Sequence, residues 1–247
     1  DLVCHQGEAV LVGGVRRTAL ISLSNHSDER MRNAKSGQWW LENPQRALAN
    51  NSICYTDQPD VGAHMREWLS IYESRSGERG IFNRQACTNM LPARRDPNYD
   101  FGTNPCSEIV LRSASFCNLS EVVCRPKDTI ATIVVKIGLA ALLGTVQSTL
   151  TDFRYLRNIW RKNCEEERLL GVSLTGIFDC PAILNATPKD LEMLRGIAVG
   201  ANKKYAKKLG IPASAAVTCV KPSGTVSQLA SCSSGIHPAY NDYYRRA

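Results

Sequence analysis

The sequence predicts an α/β fold in which at least some of the strands run parallel. Short apolar segments alternate with longer stretches whose apolar residues recur at the spacing of one helix face. Strands that are separated by helices tend to lie parallel in a shared sheet. The chain has 247 residues, of which 43% are hydrophobic. That is enough to bury the core of one large domain or two small ones.

The N-terminal half is predicted to hold short strands and one amphipathic helix. Residues 9–12 and 18–23 read as strands on either side of a glycine turn. Residues 62–74 carry apolar side chains at positions i, i+3, i+4 and i+7, which is typical of a helix. Residues 92–105 contain three prolines, two asparagines and a glycine, and this composition predicts a loop.

The C-terminal half is predicted to alternate strands with longer helices. The predicted strands are 107–111, 116–123, 169–174 and 215–220, and the predicted helices begin at 128 and cover 154–168 and 189–209. Thr129 suits the N-cap of the first helix and Gly210 the C-cap of the last. We find no internal repeat or low-complexity segment.

The net charge of +7 comes from 30 basic and 23 acidic residues. It allows either a nucleic-acid surface or a pocket for a small anion such as a nucleotide phosphate. The basic residues are scattered, so a solvated surface explains most of them. A nucleic-acid surface is the weaker interpretation, because no basic stripe interleaved with aromatics is present.

The apolar runs and the N-terminus predict neither a membrane span nor a secreted protein. The longest apolar run, residues 137–146, is shorter than the roughly 20 residues that cross a bilayer. The first residues lack the basic head and apolar core of a signal peptide. We therefore expect a cytoplasmic protein with no membrane partner.

Ten cysteines without any Cys-x-x-Cys pair argue against a zinc ribbon and against a disulfide-stapled secreted scaffold. In a reducing compartment most of them are expected to be small buried hydrophobes. The four histidines share no metal-ligand spacing, so we assign no metal site.

The segment Asn104-Pro105-Cys106-Ser107-Glu108 places a thiol between an amide and a carboxylate. In an extended chain, residues two apart point to the same side, so all three groups can converge on one small molecule. The alternative is a buried structural cysteine beside a surface glutamate, and spacing alone favours it.

Cys117 opens a second segment, Cys117-Asn118-Leu119-Ser120-Glu121, eleven residues after Cys106. If both cysteines lie on successive strands of a hairpin, their thiols can approach one another. Two unrelated core thiols are the alternative, and the pattern does not decide between them.

Two further segments have the composition of anion sites. Lys221-Pro222-Ser223-Gly224-Thr225-Val226-Ser227 follows a predicted strand and can offer backbone N–H groups and hydroxyls to a phosphate, although it lacks the P-loop spacing. Gly13-Gly14-Val15-Arg16-Arg17 combines glycines with an arginine pair. An ordinary turn is an equally good interpretation of either segment.

Taken in order, these segments resemble the large catalytic chain of ribonucleotide reductases, particularly the adenosylcobalamin-dependent class II enzymes. The resemblance spans nearly all 247 residues. It rests on 13–22, 104–108, 116–119, 171–176, 221–229 and 234–238.

The resemblance implies a ten-stranded α/β barrel of two antiparallel five-stranded halves, with a finger loop that carries Cys106 at its tip. Homolysis of the cobalt–carbon bond would yield a deoxyadenosyl radical that takes the hydrogen atom of Cys106. The thiyl radical would remove the 3′-hydrogen of the ribose, with Glu108 as general base and Asn104 as a hydrogen-bonding partner. The 2′-hydroxyl would leave as water, and a cysteine pair that includes Cys117 would supply two electrons. The substrate would also contact Pro105 and Ser107.

The resemblance also implies that Pro222, Ser223, Gly224, Thr225 and Val226 bind the substrate phosphates. It implies a thioredoxin- or glutaredoxin-type reductant, and nucleotide effectors acting through regions beyond this segment. We expect residues 1–247 to form a single partial catalytic domain, truncated at both ends and inactive in isolation. The second redox cysteine is expected upstream of residue 1. The resemblance implies that the substrate is a ribonucleoside di- or triphosphate. A catalytically incomplete nucleotide-binding fragment and a class I large subunit remain as alternatives.

Overall fold

The computed structural model describes residues 1–12, 15–16, 18–237, 241 and 243. The chain divides into two compact units. The first comprises residues 1–91 and 96–113, and the second comprises residues 92–95 and 114–247. The mixed α/β class with parallel strands is confirmed.

The first unit is built on a three-stranded parallel sheet. Its helices are α1 (Leu2–Glu8), α2 (Glu29–Arg32), α3 (Trp39–Glu42), α4 (Val61–Ser74) and α5 (Arg84–Asn89), and a 3₁₀ helix covers Pro44–Leu48. Its strands are β1 (Leu11–Val12), β2 (Val15–Arg16), β3 (Leu20–Ser24), β4 (Ala49–Tyr55), β5 (Gly80–Asn83), β6 (Phe101–Thr103) and β7 (Val110–Arg112). The sheet order is β3-β4-β5, while β1–β2 and β6–β7 are antiparallel hairpins.

A buried ion-pair network ties α4 to the start of β5 and to α2. The Glu67 carboxylate, fully buried on α4, accepts hydrogen bonds from Arg79 Nε at 2.5 Å and Nη2 at 3.0 Å. Arg32 Nε adds a third hydrogen bond at 3.1 Å. Burial raises the pKa of Glu67, but the two guanidinium groups outweigh burial and hold that pKa below its ordinary value.

The second unit packs helices on a parallel strand pair. Its strands are β8 (Asn118–Val123) and β9 (Leu170–Thr175). Its helices are α6 (Ile130–Gln147), α7 (Asn158–Glu167), α8 (Pro181–Leu184), α9 (Pro188–Leu209) and α10 (Val226–Leu229), with a 3₁₀ helix at Ile177–Asp179. The core contains Ile133, Ile137 and Ala141 of α6, Leu194 and Ala198 of α9, and Val122 and Val172 of the strands.

The long helices agree with the sequence prediction, because their caps are encoded locally. The Thr129 hydroxyl accepts the Thr132 N–H in a capping box before α6, and Gly210 ends α9 in the left-handed conformation. The Asn202 amide of α9 donates to Thr145 Oγ1 of α6 at 2.9 Å. The two helices are thus joined by a buried polar contact as well as by apolar packing.

Among the described residues, one helix is long and apolar enough to cross a membrane by length and composition alone. This is α6. Ile133, Ile137 and Ala141 on its inner side are buried in the core, whereas Val135, Leu139 and Leu143 are exposed. Core helices of globular proteins have the same composition, so this property does not identify a membrane span.

Several predicted boundaries require correction. The predicted loop 92–105 contains β6, because Phe101 is fully buried and pairs with Arg112 across a hairpin. The predicted strand 107–111 begins instead at Val110. The helix predicted from 154 begins at Asn158, after a turn in which Leu156 N–H donates to Phe153 O. Residues 215–220 run beside β9, and Leu170 N–H donates to Ala216 O at 3.0 Å and Val172 N–H to Val217 O at 2.8 Å, but the two segments form one bridge pair, Val172 with Thr218, and not a strand ladder.

Candidate active site

Residues 104–108 form the tight turn of the β6–β7 hairpin. Asn104 Oδ1 accepts the Ile109 N–H at 3.0 Å, and Asn104 O accepts the Ser107 N–H at 2.9 Å. Ser107 has a φ of +61°, in the left-handed region. The expectation of an extended segment is therefore wrong, because the Asn-Pro pair and the Asn104 side chain close a turn.

The turn exposes Cys106 and Ser107, whereas Asn104, Pro105 and Glu108 are half-buried. Pro105 O accepts a hydrogen bond from Asn50 Nδ2 of β4 at 2.7 Å. The turn is therefore fixed to the parallel sheet while its thiol remains accessible to a ligand.

Cys117 is half-buried and lies one residue before β8. The next residue, Asn118, donates from both its backbone N–H and its side-chain amide to Leu169 O, each at 3.0 Å. Because β8 pairs with β9 in parallel, and Cys106 lies in the β6–β7 turn, the two cysteines are not on successive strands of one hairpin. An approach of their thiols stays a prediction.

Side chains of β8 and β9 hold the segment 221–227 through hydrogen bonds. Ser173 Oγ accepts the Lys221 N–H at 2.9 Å, and the Ser223 hydroxyl donates to Glu121 Oε2 at 2.5 Å. Pro222 O accepts the Gly235 N–H at 3.0 Å. A Cβ on Gly235 would lie 2.1 Å from Lys221 O, so only glycine allows this approach.

The far end of the same loop is fixed to the end of β9. Ser233 O accepts the Gly176 N–H at 2.7 Å and the Thr175 hydroxyl at 3.2 Å, and Ser233 N–H donates to Asp179 Oδ2 at 2.5 Å. The loop from 221 to 235 is therefore held at both ends by polar groups of β8, β9 and the turn that follows β9. Within it, Thr225 and Val226 are exposed and Gly224 is half-buried.

The sequence pattern predicted no role for Glu121, Ser173 or Thr175, whose side chains form hydrogen bonds with this loop. The signal was present in β9, where Val172 and Leu174 alternate with the two hydroxyl residues. That period of two sends polar side chains to the face opposite the core. The sequence contained no indication of what those side chains hold.

The remaining thiols differ in their surroundings. Cys124 is fully buried, and burial, reinforced by the neighbouring Cys180 and Asp128, raises the pKa of its thiol to about 12. Burial also raises the pKa values of Cys54 and Cys232. These thiols stay protonated at neutral pH, which suits structural roles.

In the glycine–arginine segment, Gly13, Gly14 and Arg17 lie outside the described residues, as does Pro238 of the last segment. Within the described ranges, no group of three histidine, cysteine or acidic residues is arranged to hold a metal ion. An apolar cavity of about 460 Å³ lies between α6, β9 and α9, and Cys219, Val220 and Arg195 contribute to its lining. Its size is typical of small-molecule pockets.

Comparison with known proteins identifies what this arrangement is similar to. No family model matches the chain. An adenosylcobalamin-dependent ribonucleoside-triphosphate reductase of Lacticaseibacillus paracasei is 29% identical over 279 aligned positions, covering 96% of this chain and 35% of the relative. A probable enzyme of the same name from Dictyostelium discoideum is 29% identical, covering 100% of this chain and 32% of the relative.

A solved structure is also similar to this chain. The crystal structure of a B12-dependent (class II) ribonucleotide reductase matches with a TM-score of 0.69 and 27% identity, covering 89% of this chain and 34% of that one. The chain resembles the class II ribonucleotide reductases. The resemblance drawn from the sequence motifs is thereby confirmed, and it spans about a third of the length of these reductases.

Proposed function

We propose that the protein containing this chain reduces ribonucleoside triphosphates to 2′-deoxyribonucleotides for DNA synthesis, by a thiyl-radical mechanism centred on Cys106. The observation that carries the proposal is the accessible Cys106 thiol at the tip of the β6–β7 turn, flanked by Asn104 and Glu108. The names of the curated relatives support a triphosphate rather than a diphosphate substrate.

We further propose that residues 1–247 are part of a ten-stranded α/β barrel and that the β6–β7 hairpin is its finger loop. The parallel sheet β3-β4-β5 and the parallel pair β8–β9 are compatible with portions of two half-barrels. The contact between Asn50 and Pro105 supports the role of the hairpin, because a finger loop must hold its tip in a fixed place.

Adenosylcobalamin is the proposed cofactor. The exposed Cys106 thiol fits this group, because hydrogen transfer from a thiol requires direct access to the sulfur. When bound, adenosylcobalamin supplies the carbon radical chemistry that a protein side chain lacks.

Each of three residues in the turn has a separate proposed role in the reaction. Cys106, as a thiyl radical, takes the 3′-hydrogen atom of the ribose and returns a hydrogen atom at the end. Glu108 accepts the proton of the 3′-hydroxyl, and Asn104 hydrogen-bonds to the substrate. The 2′-hydroxyl leaves as water after it gains a proton from a dithiol that includes Cys117. The second hydrogen of that dithiol goes to C2′, where the hydroxyl was lost. The dithiol has then given up two electrons and become a disulfide, which an external thioredoxin- or glutaredoxin-type dithiol reduces.

The loop that contains Pro222, Ser223, Gly224, Thr225 and Val226 is the proposed phosphate site. Its anchoring to β8 and β9 supports the proposal, since a preorganised loop loses little conformational freedom when a polyphosphate binds. Nucleotide effectors are proposed to act on parts of the protein outside these 247 residues.

The test uses the full-length protein with adenosylcobalamin, a ribonucleoside triphosphate and a dithiol reductant, and follows deoxyribonucleotide formation by chromatography. We expect wild-type turnover, and at least a 1,000-fold loss in Cys106→Ser with substrate binding retained, because a serine O–H bond is too strong for a carbon radical to open. Cys87→Ser, a half-buried cysteine on α5, is the matched control and should keep activity. Turnover in the Cys106 variant would contradict the proposal.

A further inference from the structure

The contact between Glu121 and Ser223 limits what the Ser223 hydroxyl can do. Ser223 is only 4% exposed, and its backbone lies in the left-handed region with a φ of +54°. Its hydroxyl donates to Glu121 Oε2 at 2.5 Å. A serine hydroxyl has one proton, so this proton is not available to a phosphate while the contact persists.

Two adjacent side chains of the strand pair hold the loop on either side of Pro222. Glu121 of β8 is the register partner of Ser173 of β9, so both side chains lie on the same face of the pair. Ser173 Oγ accepts the Lys221 N–H at 2.9 Å, while Glu121 accepts the Ser223 hydroxyl. Val122 and Val172, the next residue on one strand and the preceding residue on the other, point to the opposite face and into the core. The two anchors are therefore supported by the packing of the strands themselves.

A carboxylate in this position has an electrostatic cost for an anion site. A phosphate beside an ionised glutamate is repelled, and the cost increases as water is excluded. The carboxylate is compatible with a phosphate loop if its contribution to loop shape outweighs that repulsion. The left-handed φ of Ser223 makes such a contribution necessary, because a non-glycine residue adopts this conformation only when its surroundings hold it there.

We propose that Glu121 is a positioning residue of the 221–227 loop and that Ser223 is its tether, not a phosphate donor. Glu121 acts through Ser223 to fix the turn, so that the exposed Thr225 hydroxyl and the loop backbone face the substrate phosphates. This inference rests on the proposed function, because it specifies how the proposed phosphate site is held.

The alternative assignment makes an opposite prediction. If Ser223 donates directly to phosphate and Glu121 merely lies nearby, removing the carboxylate frees the hydroxyl and removes a negative charge. Substrate affinity would then increase in Glu121→Ala. If Glu121 positions the loop, affinity decreases in the same variant. The sign of one measurement separates the two assignments.

The test measures KM and kcat of the full-length enzyme for a ribonucleoside triphosphate, with the triphosphate dissociation constant from calorimetry. We expect Glu121→Ala and Ser223→Ala each to raise KM and the dissociation constant by about tenfold, with kcat within threefold of wild type. The double variant should be no worse than either single variant, because both remove the same contact. Glu121→Gln keeps an oxygen that accepts the serine proton, so its KM should return to within about threefold of wild type.

Glu192→Ala, an exposed glutamate on α9, is the control for loss of one negative charge and should leave KM unchanged. Unchanged or tighter binding in Glu121→Ala, or additive effects in the double variant, would overturn the inference. If Glu121→Ala does not fold, the comparison of Ser223→Ala with Glu121→Gln decides: equal losses in both contradict the tether. Absence of wild-type turnover would refute the proposed function, whereas wild-type turnover with an insensitive Glu121 refutes only this inference.

Discussion

At the scale of single residues, the surroundings of each thiol set its chemistry. Cys106 lies exposed on a turn, whereas Cys124 is fully buried with a pKa of about 12. The sequence contains ten cysteines, and only the segment around Cys106 combined an amide, a thiol and a carboxylate at alternate positions. The resemblance, and not the spacing, singled out Cys106: spacing favoured a buried structural cysteine in an extended segment, whereas the structure has an exposed thiol on a turn.

Thiol alkylation should follow this difference. In the native full-length protein at pH 8, iodoacetamide is expected to modify Cys106 within minutes and to leave Cys124 unmodified. A thiol with a pKa of about 12 has only about one thiolate in ten thousand at pH 8, and burial blocks access as well. Peptide mass spectrometry at successive times measures both sites. Unfolding in guanidinium should make Cys124 reactive, and early labelling of Cys124 in the native protein would contradict the assignment.

The Glu67 network of the first unit gives a second residue-scale prediction. Glu67→Gln should lower the free energy of unfolding by about 3–5 kcal/mol at pH 7, because it leaves Arg79 buried without its charge partner. Since the folded-state pKa of Glu67 is lowered, its stabilising contribution is present above the unfolded pKa of about 4.3 and is lost as the pH falls through the folded value.

Urea denaturation at pH 7 and at several values below pH 4.3 measures this dependence. The difference between wild type and Glu67→Gln should shrink steadily as the pH decreases below 4.3. Glu29→Gln, an exposed glutamate on α2, is the control and should change stability by less than about 1 kcal/mol. A difference that does not vary with pH would mean that the ionised carboxylate is not the source of the stability.

At the scale of elements, local signals predicted the long helices and missed the central strand. For helices α4, α6 and α9, the capping residues directly flank the helix and the apolar spacing lies within it. Strand β4 contains Asn50, Asn51 and Ser52, and lacks the apolar run by which buried strands are recognised. Asn51 is accommodated because its side-chain amide donates to Glu78 at 3.1 Å, a contact between residues far apart in the sequence. The Glu121–Ser223 contact joins residues 102 positions apart and was unpredictable for the same reason.

The turn after β9 gives an element-scale prediction. Gly176 has a φ of +74°, and a Cβ there would lie 2.4 Å from Cys124 O. Gly176→Ala should therefore destabilise the protein by about 1–3 kcal/mol through backbone strain and displacement of the loop anchored to this turn. Thermal unfolding of the full-length protein measures the change.

Gly196→Ala is the matched control for that substitution. Gly196 is exposed within α9, and a Cβ at this position meets no atom within 4 Å beyond its chain neighbours and the nearby helix backbone. The same substitution should there stabilise the protein by about 0.5–1 kcal/mol, because alanine favours the helix. Equal effects at both positions would show that the geometry at Gly176 is not what matters.

At the scale of the whole molecule, the chain comprises two compact units with separate parallel strand pairings. The expectation that residues 1–247 form a single partial domain stays a prediction, as does the complete barrel. The parts of the candidate site that were predicted from sequence are contiguous segments, which motif order can reveal. The supporting contacts join segments that are distant in the sequence, so no local pattern predicts them.

The parallel pairing of β8 with β9 has a consequence for biosynthesis. Asn118 pairs with Leu170, which leaves the ribosome 52 residues later. At bacterial or eukaryotic elongation rates this is a delay of roughly 3–10 s. During that interval the backbone of β8 has no β9 to pair with, and α6, which is synthesised in between, can cover only its apolar face. We therefore expect the nascent chain to be vulnerable to aggregation in this window, and chaperone occupancy to be highest while residues 124–170 are emerging from the ribosome.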